Sequence, residues 1–304
     1  MGGGSWTADD WKGYHTRSVA GKATVDAIYI SRKLDKDLDP KGVTIRESCD
    51  STDNPNSTAV IVGLDVTGSM GNILDNMARD GLDRLVSGIY DRKPIANPHV
   101  MFMGIGDVAA GDSAPLQVTQ YEADIRIAEQ MTKVWFEKGG GGNNSESYPL
   151  AWYFAANHTK TDCFDKRGQK GFLFTMGDDG CPSKLTRNEV ERVFGDEVEK
   201  DIQISELLNE VSRRYEVFHL LVAQGGSHAD WMLDKWRELL GERAMLVTDY
   251  KKIPEIIIST LQVMRGDDTD DVVKSWDGTT ALAVKNAIGS LSNTGAKTGV
   301  VEFN

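Results

Sequence analysis

The run from Ala59 to Gly71, AVIVGLDVTGSMG, constrains the fold more than any other stretch of the chain. Ala59 to Leu64 is continuously apolar and reads as a strand buried on both faces, as strands of parallel sheets are. Asp65, Thr67 and Ser69 arrive where that strand ends. Behind them Met70, Ile73, Leu74, Met77, Leu82, Leu85, Val86 and Ile89 recur at helical spacing, which traps the polar loop between a strand and an amphipathic helix. A carboxylate with hydroxyls two and four residues on can offer three oxygens to one point, with Gly68 and Gly71 letting the backbone fold around it. Mg²⁺ and Mn²⁺ take oxygen ligands in near-octahedral geometry and keep several waters, whereas zinc would call for His or Cys. The alternative is a plain strand-to-helix turn in which Asp65 and Ser69 satisfy only backbone N–H groups.

The rest of the chain repeats the alternation. Apolar runs at Ala59 to Leu64, His99 to Ile105, Gly171 to Met176, Val217 to Ala223 and Ala244 to Thr248 are separated by helical patterns. These patterns follow Met70 and cover Glu122 to Phe136, Tyr148 to Asn157, Arg187 to Phe194, Ile204 to Arg214, His228 to Leu240 and Ile253 to Met264. Such a sequence predicts an α/β fold with right-handed crossovers: a doubly wound, mostly parallel, Rossmann-like sheet with helices on both faces. Leu116 to Glu122 alternates and is expected as a short antiparallel edge strand. Ligands of such sheets bind outside the carboxyl ends of the strands, where the DVTGS loop lies. The expected organisation is an N-terminal extension and linker over 1–57, the α/β domain over 58–265 and a C-terminal extension over 266–304. Trp6 and Trp11 are expected to pack the first segment onto the domain.

DVTGS fits the Asp-x-Ser/Thr-x-Ser signature of the metal-ion-dependent adhesion site, and on it the chain resembles the von Willebrand factor A domains, of an intracellular bacterial or phage type. That resemblance implies Mg²⁺, or Mn²⁺ or Ca²⁺, held by Asp65, Thr67 and Ser69 with further ligands from two other loops. In Lys138 to His158, KGGGGNNSESYPLAWYFAANH, no Thr stands where many members have one. NNSES instead resembles the variant of integrin β subunits, which makes Glu146 the matching ligand and Asn143, Asn144 and Ser145 supports. Read from the residues alone, Ser145 caps the helix and Glu146 sits in its first turn. In FLFTMGDDGCPSK the family has Thr-Asp-Gly; this chain inserts Met176 and Gly177 between Thr175 and the acids, so Asp178 or Asp179 is the equivalent, with Asp178 preferred. The alternative there is an acidic surface turn.

Composition narrows the function classes. Lys+Arg 34 against Asp+Glu 46 gives a net charge of −12, which disfavours nucleic acid as a partner. Cys49, Cys163 and Cys181 form no metal or redox spacing and read as free thiols of a reducing compartment. No secretory signal or membrane span is legible, so a cytoplasmic protein without a membrane partner is expected. The glycine run lacks a GKS or GKT ending and is no P-loop. TGSMG has Thr67 where a nucleophile elbow requires glycine, and where an aspartyl-phosphate enzyme of haloacid dehalogenase type requires a second Asp. His219 lies inside an apolar run and reads as core, as do Trp152, Tyr153 and Phe154. No His, Lys or Arg in the three loops stands ready to stabilise a leaving group. The resemblance therefore implies a non-enzymatic module that binds a protein partner through that partner's acidic residue. By analogy the module is an assembly factor or an adaptor beside a MoxR-type AAA+ ATPase, with the helix Ile253 to Met264 coupled to binding. The alternatives are a metal-dependent phosphate-ester hydrolase and a structural component of a larger complex.

Overall fold

Side-chain alternation along each strand decides which layer of core it feeds. On the central strand Val60, Val62 and Leu64 enter one hydrophobic cluster while Ala59 and Ile61 enter another on the opposite face. A computed structural model describes residues 3–139, 144–223 and 228–291. The first elements, numbered in chain order, are α1 (Ala8–Ser18), α2 (Val25–Ile28), β1 (Arg46–Ser48), β2 (Thr58–Asp65), α3 (Gly71–Asn76), α4 (Leu82–Arg92), β3 (Pro98–Ile105) and β4 (Leu116–Val118). Next come α5 (Arg126–Met131), α6 (Tyr148–Asn157), β5 (Thr159–Thr161), α7 (Asp162–Asp165), β6 (Gly171–Gly177), β7 (Lys184–Leu185), α8 (Arg187–Phe194), β8 (Ile202–Gln203) and α9 (Ile204–Val211). The chain continues through β9 (Tyr215–Val222), α10 (His228–Leu240), β10 (Ala244–Val247), α11 (Ile253–Arg265), α12 (Thr269–Lys274) and α13 (Gly278–Ile288).

Six strands form the central sheet in the order β10-β9-β6-β2-β3-β4, parallel except for β4, so the α/β class and the mostly parallel sheet are as the alternation predicts. After β2 the chain passes through α3 and α4 on one face to β3; after β6 it passes through α8 and α9 on the other face to β9. The order thus reverses between β2 and β6, leaving a crevice at their carboxyl ends. Among the described residues no helix is long and apolar enough to cross a membrane.

Several expectations change in detail. The helix expected over Glu122 to Phe136 is confined to Arg126–Met131, because Glu122 is held as an isolated antiparallel partner of Val100. The edge strand shortens to Leu116–Val118, and the pairing with β3 resumes only at the Val100–Glu122 bridge, one residue out of the strand's register. The helix after Met70 is interrupted by a π-type turn over Met77–Gly81, with the Leu82 N–H reaching the Met77 carbonyl. The apolar spacing foreshadows this turn, since Met77 and Leu82 are five residues apart where helical neighbours are three or four.

Residues on either side of 58–265 join the same core. Trp6, Tyr14 and Tyr29 are buried in the α4 and α11 layer with Trp11 packed against it, and Val272 of α12, Val284 and Ile288 of α13 and Leu291 beyond it enter that layer. The three cysteines are unpaired.

Gly171 shows how tightly the amino end of the sheet is packed. A Cβ there would lie 2.9 Å from the Ala59 carbonyl oxygen and 2.9 Å from the Tyr215 ring. That ring is fixed by hydrogen bonds of its hydroxyl to Tyr121 at 2.8 Å and Thr159 at 2.6 Å. Gly171→Ala is therefore expected to lower the unfolding free energy by roughly 1–3 kcal/mol, read as a reduced urea midpoint; an unchanged midpoint would show that the strand ends yield.

Candidate metal centre

β2 ends on Asp65, which is wholly buried although it is a carboxylate. Its Oδ1 accepts the Thr67 backbone N–H at 2.7 Å and its Oδ2 accepts the Tyr148 hydroxyl at 3.3 Å. The loop then turns into a 3-10 segment, Gly68–Met70, which brings the Thr67 and Ser69 hydroxyl oxygens to 3.5 Å from each other. Across the crevice the Ser69 hydroxyl donates to Asp178 Oδ1 at 3.1 Å. The DVTGS loop and the loop after β6 are thereby joined, and of the two acids it is Asp178 whose carboxylate meets the first loop. Asp179 instead gives its backbone carbonyl to the Trp236 indole N–H at 3.0 Å.

Glu146 comes from the third segment. Asn144, in the left-handed region at φ 57°, accepts the Gly180 N–H at 3.2 Å, and the Glu146 N–H returns to the Gly180 carbonyl at 3.1 Å. This short parallel pairing, centred on Ser145 and Gly180, ties the segment to the loop after β6. α6 begins only at Tyr148, so Ser145 does not cap it and Glu146 is not a first-turn acid; the helix-cap alternative fails. Glu146 is 2 % exposed and, among the described residues, its Oε2 has no hydrogen-bond partner. Asn143 lies outside the described residues.

Electrostatics separates these acids from surface carboxylates. Burial pushes the Asp65 carboxyl up to about 7, the Thr67 hydrogen bonds opposing and the charges of Asp178 and Asp179 adding to it. Burial, reinforced by Asp65, Asp107, Asp179 and Asp112, pushes Glu146 to about 9. Buried like charges with an orphaned oxygen are what a cation would relieve, and the oxygen-only donor set suits a hard one. The residues thus fit a divalent ion. Among the described residues no three or more His, Cys, Asp or Glu side chains converge as a metal-holding group, so any such site depends on the Thr67 and Ser69 hydroxyls.

Two residues escaped the sequence reading. Asp107 follows β3 after Gly106 and is buried, its charge felt at Glu146; the apolar run followed by an acid, as at Asp65, was the available signal. Tyr148, read only as part of a helix, supports Asp65 from below. Its ring packs edge-on to His219 at 4.8 Å and to Trp236 at 5.4 Å, and those two stack at 3.5 Å. His219, bonded to the Thr175 hydroxyl at 2.9 Å, is core, and burial pushes its pKa well below the ordinary range.

No family model matches the chain, and no curated protein matches it. Among solved structures it is similar to the pilus adhesin SpaC from Lactobacillus rhamnosus GG in its open conformation, at 12 % identity and a TM-score of 0.44 over 77 % of this chain and 31 % of that one. It is also similar to proximal thread matrix protein 1 from the mussel byssus, at 11 % identity and a TM-score of 0.40 over 74 % of this chain and 47 % of that one. The chain thus spans about a third of the adhesin and about half of the matrix protein, and likenesses at this level carry no weight for function.

Proposed function

We propose that the chain is a divalent-cation-dependent protein-binding module of the von Willebrand factor A type, with Asp65, Thr67 and Ser69 holding Mg²⁺ together with Asp178 and Glu146. The observation that carries this reading is the Ser69–Asp178 contact at 3.1 Å, which gathers oxygens from two strand ends at the point where the strand order reverses. The orphaned Oε2 of buried Glu146 supports it. When bound, the ion supplies a hard Lewis acid with an exchangeable position that a partner's Asp or Glu carboxylate fills. Thr67 and Ser69 contribute oxygen without charge, so the cage need not neutralise the ion completely. Binding is favoured over catalysis by the cationic side chains nearby. Lys138 is engaged with Asp26 at 2.6 Å, and His219 is enclosed and held neutral. Three unpaired thiols favour a cytoplasmic setting, and a MoxR-type AAA+ ATPase is the partner class we propose on the resemblance alone.

Titration with Mn²⁺, followed by water-proton relaxation, tests both parts. The wild type is expected to bind one ion with exchangeable water, and a peptide carrying Asp is expected to displace part of that water where its Asn counterpart does not. Asp65→Ala is expected to weaken Mn²⁺ at least ~100-fold, about 2.7 kcal/mol, with circular dichroism unchanged. Equal Mn²⁺ affinity in both proteins would remove the site; Mn²⁺ binding with no response to the Asp peptide would leave the ion a structural role.

A further inference from the structure

The opposite end of the sheet carries chemistry that the strand-end site does not use. At the amino end of β2 and β6 a cleft of about 310 Å³ is lined by Asn56, Thr58, Ile95, Arg167, Gln169 and Arg265 among others. Arg265, the last residue of α11, lies with its guanidinium carbon 5.0 Å from the centre of the Phe172 ring. Among the described residues it has no hydrogen-bond or ion-pair partner. Partial burial pushes its pKa down, with the charges of Cys163 and Glu216 opposing. Arg167 is pre-set beside it. One nitrogen rests on Asp50 at 2.6 Å and another on the Ser57 carbonyl at 2.6 Å, so its side chain needs no ordering when a ligand arrives.

The neutral groups point the same way. The side-chain amides of Asn56 and Gln169 and the Thr58 hydroxyl make no hydrogen bond among the described residues, and all three can donate. Ile95, with Pro94 and Ala96, supplies an apolar wall. Open donors, an uncompensated guanidinium and an apolar wall suit a ligand with an oxyanion head on a small hydrophobic body, and the volume lies at the small end of ligand sites. The α11 carboxyl end accounts for a cation at position 265, but not for a second arginine and three open donors around the same cleft.

We propose that this cleft is a binding site for a small organic oxyanion, a phosphate monoester or a carboxylate, with Arg265 as its charge partner. It is independent of the strand-end site, which lies a full strand away, roughly 23 Å at a rise of ~3.3 Å per residue.

The test is calorimetric titration of the full chain in chloride buffer with chelator present, so that no divalent ion contributes. The probes are phenyl phosphate, benzoate and inorganic phosphate. Saturable binding of phenyl phosphate alone assigns the phosphate source, of benzoate alone the carboxylate, and of both a general oxyanion site. Arg265→Ala, at an exposed helix end and expected to fold, should weaken the bound probe at least ~tenfold, Gln169→Ala by a smaller factor, and Asp65→Ala not at all. No saturable binding of phenyl phosphate or benzoate at ~10 mM, a concentration that still detects the weakest specific sites, or equal affinity in Arg265→Ala, would overturn the proposal; binding of inorganic phosphate without either organic probe would overturn the role of the apolar wall.

Discussion

At pH 8 the metal-free wild-type chain is expected to gain melting temperature when millimolar Mg²⁺ is added, and at pH 5 to gain little. The asymmetry follows from the buried carboxyls. Burial is the leading cause that raises Asp65 to about 7 and Glu146 to about 9. Their unfolded counterparts titrate near 4. The stability these groups lend is therefore fully present below about pH 4, and is lost as pH rises through 7 for Asp65 and 9 for Glu146. A bound cation replaces the missing protons and restores that stability only where the protons are absent. At a hundredfold excess over its dissociation constant it contributes about 2.7 kcal/mol, or about 4 °C for a chain of this size. Asp65→Asn separates this from generic salt stabilisation. The amide keeps an acceptor for the Thr67 N–H without carrying charge. Asp65→Asn without metal is thus expected to be more stable than wild type at pH 8, by on the order of 2–4 kcal/mol, and indifferent to Mg²⁺. Scanning calorimetry at the two pH values decides it. A wild type indifferent to Mg²⁺, Mn²⁺ and Ca²⁺ at pH 8 would remove the cation, and an Asp65→Asn variant less stable than wild type at every pH would show that other groups already offset the buried charge.

The placement of Asp65 was legible because one local pattern specified it: an apolar run that only a two-face-buried strand explains, an acid at its end and a helix behind. The pairing of Ser69 with Asp178 was less so. Strand alternation puts Asp178 at a carboxyl end, but only the strand order β6-β2 makes it the neighbour of Ser69, and strand order is a long-range property. Glu146 illustrates a different limit. Its residue type and its place after a glycine run suited a helix start as well as a ligand, and what sets the helix start aside is a backbone bond to Gly180, a partner 34 residues away in sequence. Tyr148 could not be read at all, since a buried tyrosine in an apolar helix pattern gives no sign that its hydroxyl reaches a carboxylate. The basic cleft escaped because its residues come from four separated segments, none with a motif.

Gly177→Ala is expected to damage the strand-end site more than any substitution that leaves its oxygens in place. Gly177 closes β6, and a Cβ there would fall on the Tyr148 hydroxyl and 2.9 Å from Asp65 Oδ2. Tyr148 cannot retreat, because its fully buried ring is braced by His219 and Trp236. Nor does it shed its proton to ease the contact: burial and then the charges of Asp65 and Glu146 raise its pKa well above the usual range, so it remains a donor to Asp65. The methyl must push either the tyrosine or the carboxylate, costing roughly 1–3 kcal/mol of stability and at least ~tenfold in Mn²⁺ affinity as Asp65 leaves its position. Tyr148→Phe alone removes only the 3.3 Å hydrogen bond, a loss of about 1 kcal/mol. The double variant then distinguishes collision from a general weakening of β6. Phenylalanine vacates the volume the methyl needs, so Gly177→Ala with Tyr148→Phe is expected to be more stable than Gly177→Ala alone, a coupling of about 1–2 kcal/mol, with Mn²⁺ binding partly recovered. Simple additivity of the two losses would mean that Gly177 serves the strand and not the carboxylate, and that Asp65 is held by the DVTGS loop without help from the far side of the crevice.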